Sequence, residues 1–154
     1  MKIRIATRRS PLAMLQTDEV IERIKLSNPE CICEIIEMES EGDLTDVPLH
    51  TIGGKGLFVS KLETALANGV ADIAVHSLKD VPALIDSQFS IVATLPREDY
   101  GDALLLREGL TINDLSKNLK IATSGPRRKS QLLAINPELN IVPIRGNIQT
   151  RINK

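Results

Sequence analysis

Three short segments combine arginine with hydroxyl or amide side chains at points where helices are predicted to begin: Thr7–Pro11, Thr123–Arg128 and Arg145–Arg151. The free backbone N–H groups and the positive dipole end of a helix N-terminus attract anions. The planar guanidinium of Arg can bind a carboxylate through two parallel hydrogen bonds. Any one segment is also explained as a capped helix with a surface Arg. Three such segments together suggest a ligand with several negative groups.

A fourth polar segment, His76–Pro82, directly follows the apolar run Ala71–Val75. Its side chains are therefore expected at the carboxyl end of a buried strand, where ligands bind in open α/β sheets. Within it, Lys79 and Asp80 can hold opposite charges, and a carboxylate shielded from water could stabilise a cation formed during a reaction. A turn that satisfies its own polar groups is the alternative interpretation, and His76 taken alone is more often structural than catalytic.

A glycine-rich loop, Gly53–Gly56, carries one ammonium group on Lys55. It lacks the GxxxxGK[ST] spacing of a Walker loop, so we predict a mobile loop that is not of the Walker type.

No metal site is predicted. Cys31 and Cys33 have neither a second Cys pair nor a matching His, and we expect them to pack in the interior. Asp43, Asp46 and His50 could imitate metal ligands, but a solvated acidic loop explains them equally well.

The composition excludes several classes of protein. The chain has 154 residues, 19 Lys+Arg against 20 Asp+Glu, and no Trp, one Tyr and two Phe. Near-neutral charge and so few aromatic rings argue against a nucleic-acid partner. No apolar run is long enough to span a bilayer, and the N-terminus resembles no secretory signal, so we expect a cytoplasmic protein without a membrane partner.

Strands and helices alternate along the chain, which favours an α/β fold with mainly parallel sheets and flanking helices. The predicted strands are Lys2–Ala6, Cys31–Met38, Ala71–Val75, Phe89–Leu95, Ala103–Arg107, Leu119–Ala122 and Asn140–Ile144. Two α/β domains are expected, over residues 1–95 and 96–154, of which the one over 96–154 is expected to be truncated.

The predicted helices have recognisable boundaries. The first begins with Ser10 as N-cap and Pro11 as first helical residue, and it ends at Asn28-Pro29. A second follows Gly56, with an apolar face formed by Phe58, Leu62, Ala65 and Leu66. The remaining predicted helices are a short one over Thr111–Ser116, one from about Arg127 to Ile135, and one opened by Arg145–Asn147.

Taken in order, these motifs resemble the porphobilinogen deaminase family, also called hydroxymethylbilane synthase. The resemblance covers the whole chain, and an ordered set of motifs is far more specific than any one of them. The matching motifs are RIATRRSPLA at 4–13 with Gln16, GGKGLF at 53–58, ADIAVHSLKDVP at 71–82, RED at 97–99, and IRGN at 144–147 with Thr150 and Arg151.

The resemblance implies two lobes like those of type II periplasmic binding proteins, with the C-terminal lobe incomplete here. It implies condensation of four porphobilinogen units into linear hydroxymethylbilane with release of ammonia, in tetrapyrrole and heme biosynthesis. It also implies a dipyrromethane cofactor bound covalently to a cysteine, and a monomer at full length. Acetate and propionate groups make every pyrrole ring a dianion, which would account for the arginine-bearing segments.

By matching position, the resemblance makes Asp80 the catalytic carboxylate, which would hold pyrrole N–H groups and stabilise the cation left after deamination. Lys55 would lie in a lid loop over the site. The positions that match cofactor- or substrate-binding residues are Arg8, Ser10, Lys79, Thr123, Ser124, Arg127, Arg128, Arg145 and Arg151. Three positions depart from the family pattern: Gly125 replaces a Ser, Pro126 replaces a Leu, and Gly101 replaces an Arg. Pro126 remains compatible with a helix start.

The family's C-terminal domain, with its cofactor cysteine, would lie beyond Lys154, and neither Cys31 nor Cys33 matches the attachment motif. We therefore expect an N-terminal portion that does not sustain turnover on its own. A non-catalytic module that captures polycarboxylates is the alternative function.

Overall fold

The computed structural model describes residues 1–39, 60–116 and 118–154. The predictions for Lys55, the surrounding glycine loop, Phe58 and the acidic loop fall outside these residues. The chain divides into two compact units, Met1–Pro96 and Arg97–Lys154.

The first unit is built on a three-stranded parallel sheet. Strand β1 is Lys2–Arg8, β2 is Ile32–Met38 and β3 is Ile73–Ala74, arranged in the order β2-β1-β3. The predicted first strand was two residues too short, because Thr7 and Arg8 pair with the end of β2. The predicted third strand, Ala71–Val75, is shortened to Ile73–Ala74. Backbone hydrogen bonds from Asp72 N to Arg4 O and from Val75 N to Ala6 O flank it on either side.

Two helices pack against this sheet. Helix α1, Pro11–Ser27, begins and ends as predicted: the Ser10 hydroxyl accepts a hydrogen bond from Ala13 N, and Asn28 is the C-cap. Helix α2, Ser60–Ala67, lies over β1 and β3. Its Leu62 and Ala65 are buried in a small core that also contains Ala6 and Ala71. Small side chains at these positions let the helix approach the sheet closely.

The second unit contains a two-stranded parallel sheet, β4 (Lys120–Ala122) and β5 (Asn140–Val142). Helix α3, Pro126–Ile135, connects the two strands, and helix α4, Ile148–Ile152, follows β5. Both sheets are therefore parallel and flanked by helices, which confirms the mixed α/β fold. In the part of the chain that the structure describes, no helix is long and apolar enough to cross a membrane.

Two predicted strands are wrong. Residues 89–95 and 103–107 form neither strand nor helix, and apolar side chains there, such as Val92 and Leu105, are largely exposed. Apolar periodicity indicates that a segment could bury one face, but a strand also needs a neighbouring strand to take its backbone hydrogen bonds. The helix predicted over Thr111–Ser116 is reduced to one 3₁₀ turn, Ile112–Asp114.

An ion pair joins β1 to the start of β3. The Asp72 carboxylate accepts hydrogen bonds from Arg4 N, Nε and Nη2, at 2.8, 3.1 and 2.6 Å. Arg4 Nη1 also donates to Gly69 O. These bonds to the Arg4 guanidinium and backbone lower the pKa of Asp72 to about 2.

We predict that Asp72→Asn reduces the acid sensitivity of folding. Because the pKa of Asp72 is lower in the folded chain than in the unfolded chain, its stabilising effect is complete above about pH 4 and is lost as the pH falls towards about 2. Urea unfolding of both proteins should give a clear loss of stability in the variant at pH 6. That difference should disappear near pH 2, and a constant difference across this range would contradict the assignment.

Candidate functional site

The carboxyl ends of β1 and β3 bring Arg8 and Asp80 together. Arg8 is the last residue of β1, and Asp80 ends a 3₁₀ turn, Leu78–Asp80, that follows β3. The strands are parallel, so their carboxyl ends meet at one edge of the sheet. Arg8 Nη1 lies 3.9 Å from Asp80 Oδ2, and the two side chains are only 20% and 29% exposed.

The Asp80 carboxylate differs from those of Asp72 and Asp102, which also face arginine. At 3.9 Å its contact with Arg8 is an ion pair too long to be a hydrogen bond. Among the described residues, no group donates a hydrogen bond to its oxygens, whereas Asp72 accepts three and Asp102 accepts two. Asp80 therefore keeps acceptor capacity for N–H groups of a ligand.

Helix α1 supports this edge of the sheet. Ser77 Oγ donates to Gln16 Oε1 at 2.9 Å, which ties the segment before Asp80 to α1. Thr17 Oγ1 lies 2.7 Å from Thr7 Oγ1, and both threonines are fully buried. The helix that begins at Ser10 thus holds both strand ends in place.

Of the neighbouring candidate side chains, some stabilise the fold and others are exposed to solvent. The Ser10 hydroxyl oxygen caps α1, which leaves its O–H group as the donor for a ligand. Lys79 is exposed beside Asp80. Arg9 turns towards β2, where it pairs with Glu37 and Glu39, so Arg8 is the arginine of this segment that faces Asp80.

His76 lies partly buried near the same pair. Burial lowers its pKa, the Asp80 charge acts in the opposite direction, and the Arg8 charge lowers it further. The net direction is downward, so the imidazole is neutral at neutral pH. Arg8, and not His76, therefore provides the positive charge beside Asp80.

In the second unit, the segments after β4 and β5 are joined through Ser124. Its hydroxyl donates to Ile144 O at 2.5 Å and accepts from Ile144 N at 3.0 Å. Thr123 Oγ1 accepts from Gly125 N, so it shapes the turn into α3. Both predicted ligand-binding hydroxyls therefore already make structural hydrogen bonds.

Arg127 and Arg128, in the first turn of α3, share the carboxylate of Asp102. Arg127 Nη1 lies 2.7 Å from Oδ2, and Arg128 Nε donates to Oδ1 at 2.7 Å. Hydrogen bonds from both guanidiniums lower the pKa of Asp102 to about 2. Sequence reasoning missed Asp102, because 25 residues separate it from Arg127 and no spacing pattern links them.

The third arginine-bearing segment lies between β5 and α4. Asn147 Oδ1 accepts from Thr150 N and caps the helix, while Arg151 Nε donates to Gly146 O at 2.6 Å. Lys154 Nζ donates to the carbonyl oxygen of Arg145. Among the residues that the structure describes, no group of three His, Cys, Asp or Glu side chains could hold a metal ion.

The geometry thus defines an α/β protein with cationic side chains at the carboxyl edges of its parallel sheets and, beside Arg8, a partly buried carboxylate that retains acceptor capacity. A family model described as "Porphobilinogen deaminase, dipyromethane cofactor binding domain" matches residues 3–154. The chain therefore belongs to the porphobilinogen deaminase family, a family of transferases that uses a dipyrromethane cofactor.

Individual relatives agree with this family. Porphobilinogen deaminase of Natranaerobius thermophilus is 48% identical over 155 residues, which cover 100% of this chain and 50% of that relative. The Rickettsia bellii enzyme is 48% identical over 99% of the chain and 51% of its own length. The Clostridium botulinum enzyme is 46% identical over 100% of the chain and 53% of its own length. The chain thus spans about half the length of these curated relatives.

The glycine before α3 allows a direct test of the local geometry. Gly125 is the N-cap with φ −83° and ψ 116°, a conformation open to any residue, and an added Cβ would meet nothing closer than 3.7 Å. We predict that Gly125→Ser raises the free energy of unfolding by about 0.5 kcal/mol, because Ser caps a helix and restricts the unfolded chain.

Gly146→Ala is the matched control. Gly146 has φ +115°, and an added Cβ would lie 2.6 Å from Thr150 Cγ2. We expect it to lower the free energy of unfolding by about 2 kcal/mol. Urea denaturation checks both values, and destabilisation by Gly125→Ser would contradict the geometry of the α3 start.

Proposed function

We propose that this chain acts in the stepwise condensation of four porphobilinogen units into hydroxymethylbilane, with release of ammonia. One observation carries the proposal: Asp80 lies beside Arg8 at a sheet edge and accepts no hydrogen bond from any described residue. An acceptor of this kind suits a pyrrole N–H, and the adjacent guanidinium suits a ring carboxylate.

In this proposal Asp80 is the catalytic carboxylate. It accepts pyrrole N–H groups and stabilises the positive charge that develops on the substrate when ammonia leaves. Arg8 binds a substrate carboxylate from its position beside Asp80. Neutral His76 adds no competing positive charge at this point.

The other proposed ligand-binding residues supply cations and hydroxyls for acetate and propionate groups. Ser10 and Lys79 act beside Arg8 in the first unit. Lys55 is proposed to act in a lid loop. The second unit is proposed to contribute Thr123, Ser124, Arg127, Arg128, Arg145 and Arg151.

The donor set fits the dipyrromethane cofactor of the family. Such a group is a polyanion with pyrrole N–H groups, and the described residues offer guanidiniums together with an acceptor carboxylate. When bound, the cofactor supplies the covalently held pyrrole chain that is extended.

Cys31 and Cys33 do not fit the attachment role, because they lie at the amino end of β2, the opposite end from Arg8. Cys31 is also buried.

The same proposal includes the type of lobe, the domain boundaries, the oligomeric state and the cellular compartment. The motif resemblance supports two lobes of the type II periplasmic-binding-protein kind, with domains over residues 1–95 and 96–154. It also supports a protein that is monomeric at full length. The free thiols of Cys31 and Cys33 suit the reducing cytoplasm.

Replacement of Asp80 distinguishes this function from capture of polycarboxylates. We predict that Asp80→Asn weakens porphobilinogen binding about tenfold, because the amide is a poorer acceptor for the pyrrole N–H and no longer offers a charge to the aminomethyl group. Binding of propionate, which has no N–H group, should change by less than about threefold. Isothermal titration of the 154-residue chain with each ligand measures both affinities.

A module that only binds anions would behave in the opposite way, since loss of a negative charge strengthens anion binding. Tighter or unchanged porphobilinogen binding by Asp80→Asn would therefore contradict the proposal. Asp18→Asn, which removes the same charge from the exposed surface of α1, is the matched control and should bind both ligands like the unaltered chain.

A further inference from the structure

We propose that Cys31 and Cys33 form a two-thiolate site for a single soft cation of the monovalent copper class. The site lies at the amino end of the first parallel sheet, whereas Arg8 and Asp80 lie at the carboxyl end, so it is separate from the proposed function. Three features of the structure support it: the common face of the two thiols, their contact with each other, and a cavity that reaches them.

The strand register places both thiols on the face of the sheet that α1 covers. Thr7 points to this face, because its hydroxyl oxygen lies 2.7 Å from that of Thr17 in α1. Alternation along β1 then directs Ile3 to the same face, and Ile3 is the parallel partner of Cys33 in β2. Cys31 stands two positions before Cys33 and therefore shares its face.

The two thiols also contact each other. Burial raises the pKa of the Cys33 thiol, and a hydrogen bond with Cys31 raises it further. The positive charge of Lys25, in the last turn of α1, acts in the opposite direction. Both cysteines are free of disulfide bonds. The pair thus offers two soft donor atoms at close range, with an ammonium group nearby.

A cavity connects the pair with the surface, although Cys31 is only 4% exposed. Cys31 forms part of the wall of this cavity, which has a volume of about 370 Å³ and also contacts Asn28 and Glu30. The backbone here is fixed, because Cys31 N donates to Asn28 O and Ile32 N donates to Met1 O, both at 2.9 Å. The site is therefore accessible to an ion and already ordered before the ion binds.

The donor set selects the class of ion. Structural zinc sites are tetrahedral with four ligands, and in the described part of the chain no group of three His, Cys, Asp or Glu could begin such a set. Soft thiolates favour monovalent copper, which two thiolates can hold in a linear arrangement. On binding, each thiol releases its proton to solvent and two copper–sulfur bonds form, so the complex carries one negative charge. The ammonium group of Lys25 balances that charge.

A disulfide between Cys31 and Cys33 is disfavoured by the strand geometry. Residues two apart on an extended strand have Cα atoms about 6.6 Å apart, whereas disulfides are commonest at about 5.5–6 Å. The pairing of Cys33 with Ile3 opposes the backbone shift that would shorten this distance. An ion between the sulfurs needs no such shift, because two metal–sulfur bonds of about 2.3 Å span more than one S–S bond of about 2 Å.

Titration of the 154-residue chain with copper(I) tests the site, without oxygen and in competition with a chromogenic copper(I) chelator. We expect one copper ion per chain by native mass spectrometry and two sulfur neighbours by X-ray absorption spectroscopy. Two linked donors bind far more tightly than one, so Cys33→Ser and Cys31→Ser should each weaken copper(I) binding at least about a hundredfold.

Ile32→Ser is the matched control, because Ile32 stands between the two cysteines, points to the opposite face and is 65% exposed. It should bind copper(I) like the unaltered chain. The absorption measurement uses the unaltered chain, so it decides the question even if a cysteine variant does not fold. One copper ion shared by two chains, fewer than two sulfur neighbours, or equal copper(I) affinities of Cys33→Ser and Ile32→Ser would overturn the proposal.

Discussion

The parallel pairing of β1 with both β2 and β3 is the constraint on which the candidate site depends. It places the carboxyl ends of all three strands at one edge, so Arg8 and the segment leading to Asp80 meet although 72 positions separate them. A shift of β1 by one residue would turn the side chains of the strand to the opposite face. The buried residues Ile5, Ala6 and Thr7 make such a shift costly, because each fills a position in the interior.

Electrostatic balance explains how a nearly neutral chain can display anion-binding edges. Arg4 is paired with Asp72, Arg9 with two glutamates of the β2 end, and Arg127 and Arg128 with Asp102. The pKa of Asp72 and of Asp102 falls to about 2 as a result. The carboxylates of Asp72 and Asp102 thus stabilise the fold. Asp80 differs from them because its oxygens accept no hydrogen bond from the described residues.

Local sequence signals made much of this architecture predictable. The features that depend on contacts between distant segments could not be predicted in this way. The Ser10–Pro11 start and the Asn28 end of α1 follow from capping and proline chemistry that acts within a few residues. The strands expected at 89–95 and 103–107 are not formed, because the periodicity of apolar residues does not reveal whether a partner strand is present. Asp102 was missed for a similar reason: its contacts with α3 depend on how distant segments fold together.

The proposed site depends most directly on Arg8 and Asp80 acting on one ligand as a unit, and a double-mutant cycle measures this. Porphobilinogen affinity is determined for the unaltered chain, Arg8→Gln, Asp80→Asn and the double variant. Groups that share one ligand give non-additive effects, so we expect the double variant to bind at least about fivefold more tightly than the product of the two single losses predicts. Strictly additive losses would show that the two residues act independently and would contradict a shared site.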